Sequence, residues 1–319
     1  MLRVLLIYLS QACWARNLVQ KMPFAQKMAS RFVAGETLDH AIKVVKDLNS
    51  RGINTTLDHL GENVCSGEDA IKAADEILRI LDRLKLEGVA SGVSIKLSQI
   101  GLIADKQVCI KNLTRIFELA QTHNIYIRVD MEDSPHTDDT LEIFSATRSS
   151  IKPDLSGVAI QAYLFRSEND VRTLLDSIAG IRLCKGAYKE PPSIAFSKKS
   201  DVDQNFDQIT KVLLEKSLMV GSKISQDGIT PPIPAIATHD EDRINYAKNY
   251  QKSIELDPSG LEFQMLFGIR SDLQEQLVKE GYPVRVYVPY GEEWYPYFVR
   301  RLAERPANLW FFLTNLLRS

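Results

Sequence analysis

Residues 92–129, GVSIKLSQIGLIADKQVCIKNLTRIFELAQTHNIYIRV, read as strand, helix, strand. The ends, GVSIKL (92–97) and IYIRV (125–129), are short β-rich runs, and Val108–His123 between them carries a helical pattern. The unit repeats in both directions. INTTL (53–57) precedes it, and GVAIQ (157–161), IRLC (181–184), AIAT (235–238), LEFQM (261–265) and VRVYV (284–288) follow. Further helical stretches fall at Asp69–Leu86, Val202–Val220 and Asp240–Tyr250. Strand alternating with helix implies parallel strands joined by right-handed crossovers. Eight such units predict an α/β fold of (βα)8 TIM-barrel type. A doubly wound open sheet is the alternative, but no G-x-G-x-x-G follows a strand and no G-x-x-x-x-G-K-[ST] is present. An extra helix, Glu36–Asn49, comes before the first strand, and the apolar ANLWFFLTNLL (307–317) after the last. The chain is therefore expected to divide into an N-terminal helical segment, 1–35, and a barrel domain, 36–319.

The rest of the composition mainly excludes. With 39 basic and 41 acidic residues the net charge is −2, so nothing calls for nucleic acid as a partner. The cysteines, Cys13, Cys65, Cys109 and Cys184, show no C-x-x-C, and the five histidines form no H-E-x-x-H. No metal is expected, and reduced thiols fit a cytoplasmic protein. MLRVLLIYLSQACWA (1–15) resembles a signal peptide, but its apolar run, Val4–Leu9, is short. Leu2, Leu5, Leu6, Leu9 and Cys13 instead recur as on an amphipathic helix. No stretch approaches the roughly 20 apolar residues of a membrane span.

In such a barrel, functional side chains project from the carboxyl ends of the strands. Those positions hold Asp58 and Glu62, Lys96, Arg128 and Asp130, Gln161, Arg182 and Lys185, His239, Gln264, and Arg285 with Tyr287. A lone charge inside a barrel strand is costly unless paired. Lys96 in VSIKLS is therefore either a surface-directed lysine, a carboxylate ligand or a Schiff-base lysine. Asp130 in RVDMEDSP reads as a partner for an arginine, which would make it a support for a catalytic group. In IRLCKGAY (181–188), Gly186 permits close backbone approach, Arg182 and Lys185 bring positive charge, and Tyr188 a flat wall. That combination suits an anionic or flavin-like ligand. Tyr188–Ser200, with Pro191 and Pro192, is a candidate active-site loop. Near the carboxyl terminus, Tyr297, Arg300, Arg301 and Glu304 lie three or four residues apart on one helix face. Paired arginines beside a tyrosine suit a small amino acid, though solvated surface arginines have the same spacing.

At these residues the sequence resembles the proline dehydrogenase family, and the monofunctional bacterial members in particular. The matching pieces are RFVAGETLDHA (31–41), TTLDHLGENV (55–64), VSIKLSQ (93–99), RVDMEDSP (128–135), AIQAYL (159–164), RLCKGAY (182–188), ATHD (237–240), EFQMLFG (262–268), RVYVPYG (285–291) and WYPYFVRRLAERPAN (294–308). The resemblance implies a distorted barrel with its last helix above the active site, oxidation of L-proline by FAD, and membrane quinone as electron acceptor. By similarity, Lys96, Arg300 and Arg301 would hold the proline carboxylate, with Ala187, Tyr188, Leu266 and Tyr297 around the ring. For FAD it implies Arg182 near the reactive nitrogen, with Gln161, Cys184, Lys185, Gly186, Ala187, Thr238, His239 and Glu304 contributing and Asp130 and Tyr287 in support. Lys96, Arg182, Asp130 and Tyr188 form the implied catalytic set, and Glu62 with Arg301 a gate. A pyrroline-5-carboxylate dehydrogenase would take the product, and contact with the inner face of a membrane would follow from the quinone. Two other classes stay open: an aldolase-like barrel using Lys96 or Lys185 as a Schiff base, and a scaffold without cofactor.

Overall fold

The computed structural model describes residues 19, 23–61, 64, 66–148 and 152–304. The N-terminal amphipathic stretch, Glu62, Cys13, Cys65 and the apolar 307–317 fall outside them. Eight strands form a closed barrel in chain order: β1 (Asn54–His59), β2 (Ser91–Ile95), β3 (Ile127–Val129), β4 (Ser156–Gln161), β5 (Gly180–Cys184), β6 (Pro234–Ala237), β7 (Glu262–Leu266) and β8 (Val284–Tyr290). Every pairing is parallel, and β8 returns to β1 through Asn54 opposite Arg285 to His59 opposite Tyr290. That closure excludes the open sheet.

The helices are α1 (Pro23–Ala29), α2 (Leu38–Ser50), α3 (Gly67–Glu87), α4 (Lys106–His123), α5 (Thr137–Arg148), α6 (Ser167–Asp176), α7 (Lys199–Val220), α8 (Glu241–Ser253), α9 (Ser271–Lys279) and α10 (Trp294–Glu304). Local chemistry sets their ends. Ser66 accepts from the Asp69 N–H at the start of α3, and Gly88 ends that helix in the left-handed region at φ 62°. Asp105 caps α4 through the N–H groups of Gln107 and Val108, and Asn124 closes it at φ 57°. Among the described residues no helix is long and apolar enough to cross a membrane.

Strands β2 and β4 are buried at every position, as parallel strands covered on both faces must be. The annulus between strands and helices is aliphatic, but the barrel's inside is polar. Arg128 and Arg285 require a correction here. Both had been assigned to strand carboxyl ends, yet Arg285 is the second residue of β8 and Arg128 points toward the strand starts. Arg285 is 2% exposed, pairs with Glu262 at 3.0 Å, and donates to the carbonyls of Thr55 and Gly228 (2.8 Å each). Arg128 donates to the carbonyls of Gly180 (2.7 Å) and Val158 (3.2 Å). These two guanidiniums plug the amino end of the barrel, away from its mouth.

A strap of chain crosses the other end. Ala25, Met28, Ala29, Phe32 and Val33 share an apolar cluster with Leu60, Ile269 and, from α10, Trp294, Tyr295, Tyr297, Phe298 and Val299. The strap is stitched to β8's exit: the Ala34 N–H donates to the Pro289 carbonyl and the Gly291 N–H to that of Gly35, both 2.9 Å. The Trp294 indole N–H reaches Glu36 at 3.1 Å. Because Leu60 follows β1 and Ile269 follows β7, this cluster holds α10 over the carboxyl ends of the strands.

Candidate active site

Arg182, in the middle of β5, is the hub of the mouth. Its Nε donates to Gln264 Oε1 (2.6 Å) and its Nη1 to Asp130 Oδ1 (2.6 Å) and Ser94 Oγ (2.9 Å). Its guanidinium lies 5.2 Å from the Tyr287 ring centroid. Four strands thus fix one side chain that is 7% exposed. The Nη2 nitrogen takes no hydrogen-bond partner among the described residues, so one donor of a rigid fork stays available. Asp130 also accepts from Ser94 (2.9 Å) and from the Tyr287 hydroxyl (3.0 Å). Burial, then the carboxylates of Asp130 and Asp58, push the Tyr287 phenol well above its ordinary range, so it stays a donor.

Lys96, just past β2, points its ammonium at Asp58 of β1, 3.2 Å and 3.3 Å from the two oxygens. The Asp58 side chain is 1% exposed and that of Lys96 13%. The surface-directed reading of Lys96 therefore fails. It is a nearly buried cation at the mouth, as Asp130 is the partner of an arginine.

After β5 the chain runs as a loop held from three sides. Buried Gln161 clips it, accepting from the Ala187 N–H (2.9 Å) while donating to the Glu132 carbonyl (2.8 Å). Glu190 accepts from the Ser134 N–H (2.8 Å) and hydroxyl (2.6 Å). Gly186 sits at φ +133°, and a Cβ there would lie 2.3 Å from the Tyr163 ring. Gly186→Ala is expected to cost about 1–3 kcal/mol in backbone strain alone. The checks are the urea midpoint and the rate of proteolysis within 185–198; no change in either would show that the loop tolerates a side chain. Tyr188, on this loop, is 39% exposed.

Lys185 turns away from the hub. It pairs with Asp203 of α7 and, at 2.6 Å, with Asp240 before α8. Burial alone would raise the Asp240 carboxyl, but Lys185 and Lys199 draw it down to about 2. Thr238 Oγ1 accepts from the Asp240 N–H (3.1 Å), and His239 Nε2 accepts from the Leu266 N–H (3.0 Å), joining β6 to β7. The Cys184 thiol faces the Ile160 carbonyl at 3.5 Å, and burial pushes it up to about 12, so it is a packed thiol rather than a nucleophile.

Above the mouth, Leu266 packs against the cluster that contains Tyr297, and Arg301 lies over the Tyr297 ring at 5.1 Å. Arg300 and Arg301 are partly buried. Glu304 ends α10, and its side chain, like Glu62, lies outside the described residues.

Three supports were not singled out from sequence: Ser94, Asp203 and Glu132, whose carboxylate accepts from the Ser98 N–H (2.9 Å). Ser94 had a signal, since it stands two residues before Lys96 and so faces the same side. Asp203 had none, being one of many acids on α7.

Known proteins can be set beside this geometry. The sequence profile of the family described as proline dehydrogenase matches residues 41–312. Proline dehydrogenase 1 of Bacillus subtilis (strain 168) is 38% identical over 291 residues, 91% of either chain. The proline dehydrogenase of Deinococcus radiodurans is 38% identical over 295 residues, 92% of this chain and 91% of its own. Among solved structures, proline utilization A (PutA) from Bdellovibrio bacteriovorus, inactivated by N-propargylglycine, superposes with a TM-score of 0.78 at 25% identity. The match covers 87% of this chain and 32% of that longer one.

Proposed function

This chain belongs to the proline dehydrogenase family, whose activity is the first step of proline catabolism, and on that premise we propose that it oxidises L-proline with FAD and passes the electrons to a quinone. The observation that carries the finer reading is the Arg182 hub. A cation locked by Asp130, Ser94 and Gln264, with one nitrogen still available, suits a ring nitrogen that gains electron density. In the same proposal Gln161, which clips the backbone at 186–187, and Cys184, Lys185, Thr238 and His239 hold the cofactor, Lys185 from outside the hub, where it pairs with Asp203 and Asp240. Bound FAD supplies the acceptor for the hydride equivalent that leaves C5 of the pyrrolidine ring, while the ring nitrogen gives up a proton and Δ1-pyrroline-5-carboxylate forms.

The chain's own task is orientation and charge. Lys96, Arg300 and Arg301 hold the carboxylate, Ala187, Tyr188, Leu266 and Tyr297 enclose the hydrocarbon, and Asp130 with Tyr287 keeps Arg182 in place. Arg301 with Glu62, and Glu304 toward FAD, complete the set. Two further parts belong to the same proposal: residues 1–35 as an N-terminal helical segment ahead of the barrel domain 36–319, and a cytoplasmic protein that touches a membrane to meet its quinone. A pyrroline-5-carboxylate dehydrogenase would consume the product.

The test is optical. Purified protein should be yellow, and L-proline without oxygen should bleach it. A colourless protein that traps a carbonyl substrate on borohydride treatment would instead support the aldolase-like alternative. Arg301→Met should raise the KM for proline at least about thirtyfold, the loss of about 2 kcal/mol of a charge-assisted contact, with flavin content unchanged. Equal KM in variant and parent would remove Arg301 from the carboxylate site.

A further inference from the structure

Of the cations inside the barrel that play no part in that scheme, one has no carboxylate partner among the described residues. Arg128 is 1% exposed, and its Nη1 contacts carbonyl oxygens, those of Gly180 and Val158. Its guanidinium lies 4.9 Å from the Tyr126 ring centroid. The space is made on purpose by glycine: a Cβ at Gly157 would lie 2.6 Å from Arg128 Nη1 and 2.1 Å from the Tyr126 hydroxyl. Among the described residues no carboxylate comes within ion-pair distance of Arg128.

Three other cations inside the barrel are matched: Arg182 to Asp130, Arg285 to Glu262, Lys96 to Asp58. Of these four cations, Arg128 alone has no carboxylate within ion-pair distance among the described residues. Burial lowers its pKa to about 10, which leaves it charged near neutrality. Burial also raises the Tyr126 phenol, so that ring brings no compensating negative charge. In register, Arg128 stands opposite Ser94 on one side and Gly157 on the other, and Gly157 stands opposite Gly180. The register drops by about one residue per strand around the barrel, so Arg182, two residues beyond Gly180, shares a layer with Arg128, whose guanidinium turns toward the strand starts. An unmatched cation beside the hub acts through a medium that screens poorly.

We propose that Arg128 is an electrostatic tuning residue: its unpaired positive charge, touching neither substrate nor cofactor, raises the reduction potential of the flavin held at the barrel mouth. The inference rests on the flavin reading above. It gives the otherwise costly burial of an unpaired arginine a use, because reduction adds negative charge where this field favours it.

The experiment is a midpoint-potential titration of the FAD-loaded protein and its variants. Arg128→Gln, which removes the charge, should shift the two-electron equilibrium toward the oxidised form at least tenfold, about 30 mV. Arg128→Lys, which keeps the charge, should stay within about a third of that. An unchanged potential in Arg128→Gln, or equal shifts in both, would mean that shape rather than charge matters and would overturn the proposal. If Arg128→Gln does not fold, Glu262→Gln decides, because deleting that carboxylate leaves Arg285 as a second unmatched cation and must move the potential upward; no shift, or a downward one, overturns it. A parent that binds no flavin removes this inference and the functional reading together. A parent that proline bleaches, with variants that hold its potential, removes this inference alone.

Discussion

Arg182→Met is expected to lower turnover by about a hundredfold to a thousandfold, the range for loss of one preorganised electrostatic donor. It should also destabilise the fold by about 3–5 kcal/mol, because Asp130 would keep its contacts to Ser94 and Tyr287 but lose its cation. The two effects have separate origins and should separate experimentally. Arg182→Lys restores a positive charge and should recover much of the stability. It cannot reach Ser94, Asp130 and Gln264 together, because an ammonium lacks the planar fork, so turnover should stay low. Anaerobic rapid-mixing bleaching with proline reads the first quantity and urea unfolding the second. Turnover within about threefold of the parent in Arg182→Met would place the reacting centre elsewhere.

Lys96→Met should raise the KM for proline at least about thirtyfold and destabilise the protein as well. The stability loss comes from Asp58, which is 1% exposed and would lose the ammonium 3.2 Å away. Adding Asp58→Asn removes the buried charge and should return most of the lost stability. It cannot return substrate affinity, because the cation that meets the carboxylate is still missing. The double variant therefore tells substrate binding from mere charge balance. Recovery of KM along with stability would show that Lys96 only neutralises Asp58.

How much of this was legible beforehand differs between fold and site. All eight strands lie where the β-rich runs stand, displaced by a residue or two at their ends. IYIRV shortens to Ile127–Val129 because the Ile125 N–H is taken by Ala120, at the end of the preceding helix. The strand-end residues Lys96, Asp130 and Arg182 were readable because a barrel forces charge in its strands to the mouth or into pairs. Arg128 and Arg285 lie toward the other end, Arg285 in a pair and Arg128 without one, and the sequence does not announce it, for a physical reason. A strand buried on both faces carries no polar alternation to tell mouth from base, and the partner of Arg285, Glu262, is on another strand. Which acids would engage Lys185 was equally hidden, since Asp203 meets it only through the packing of α7.

The strap across the mouth bears on how the molecule comes to be made. Gly268, at φ +72°, passes so close to the strap that a Cβ there would lie 1.5 Å from the Arg31 carbonyl oxygen, and Ala34 and Gly35 bond to Pro289 and Gly291. Residues 25–35 are translated well before Ile269 and the Trp294–Val299 stretch on which they rest. The nascent chain must keep Ala25, Met28, Phe32 and Val33 without these partners until α10 has been made. Protease sensitivity of that stretch in chains stalled ahead of α10, lost once α10 is out, is the signature this order of events should leave.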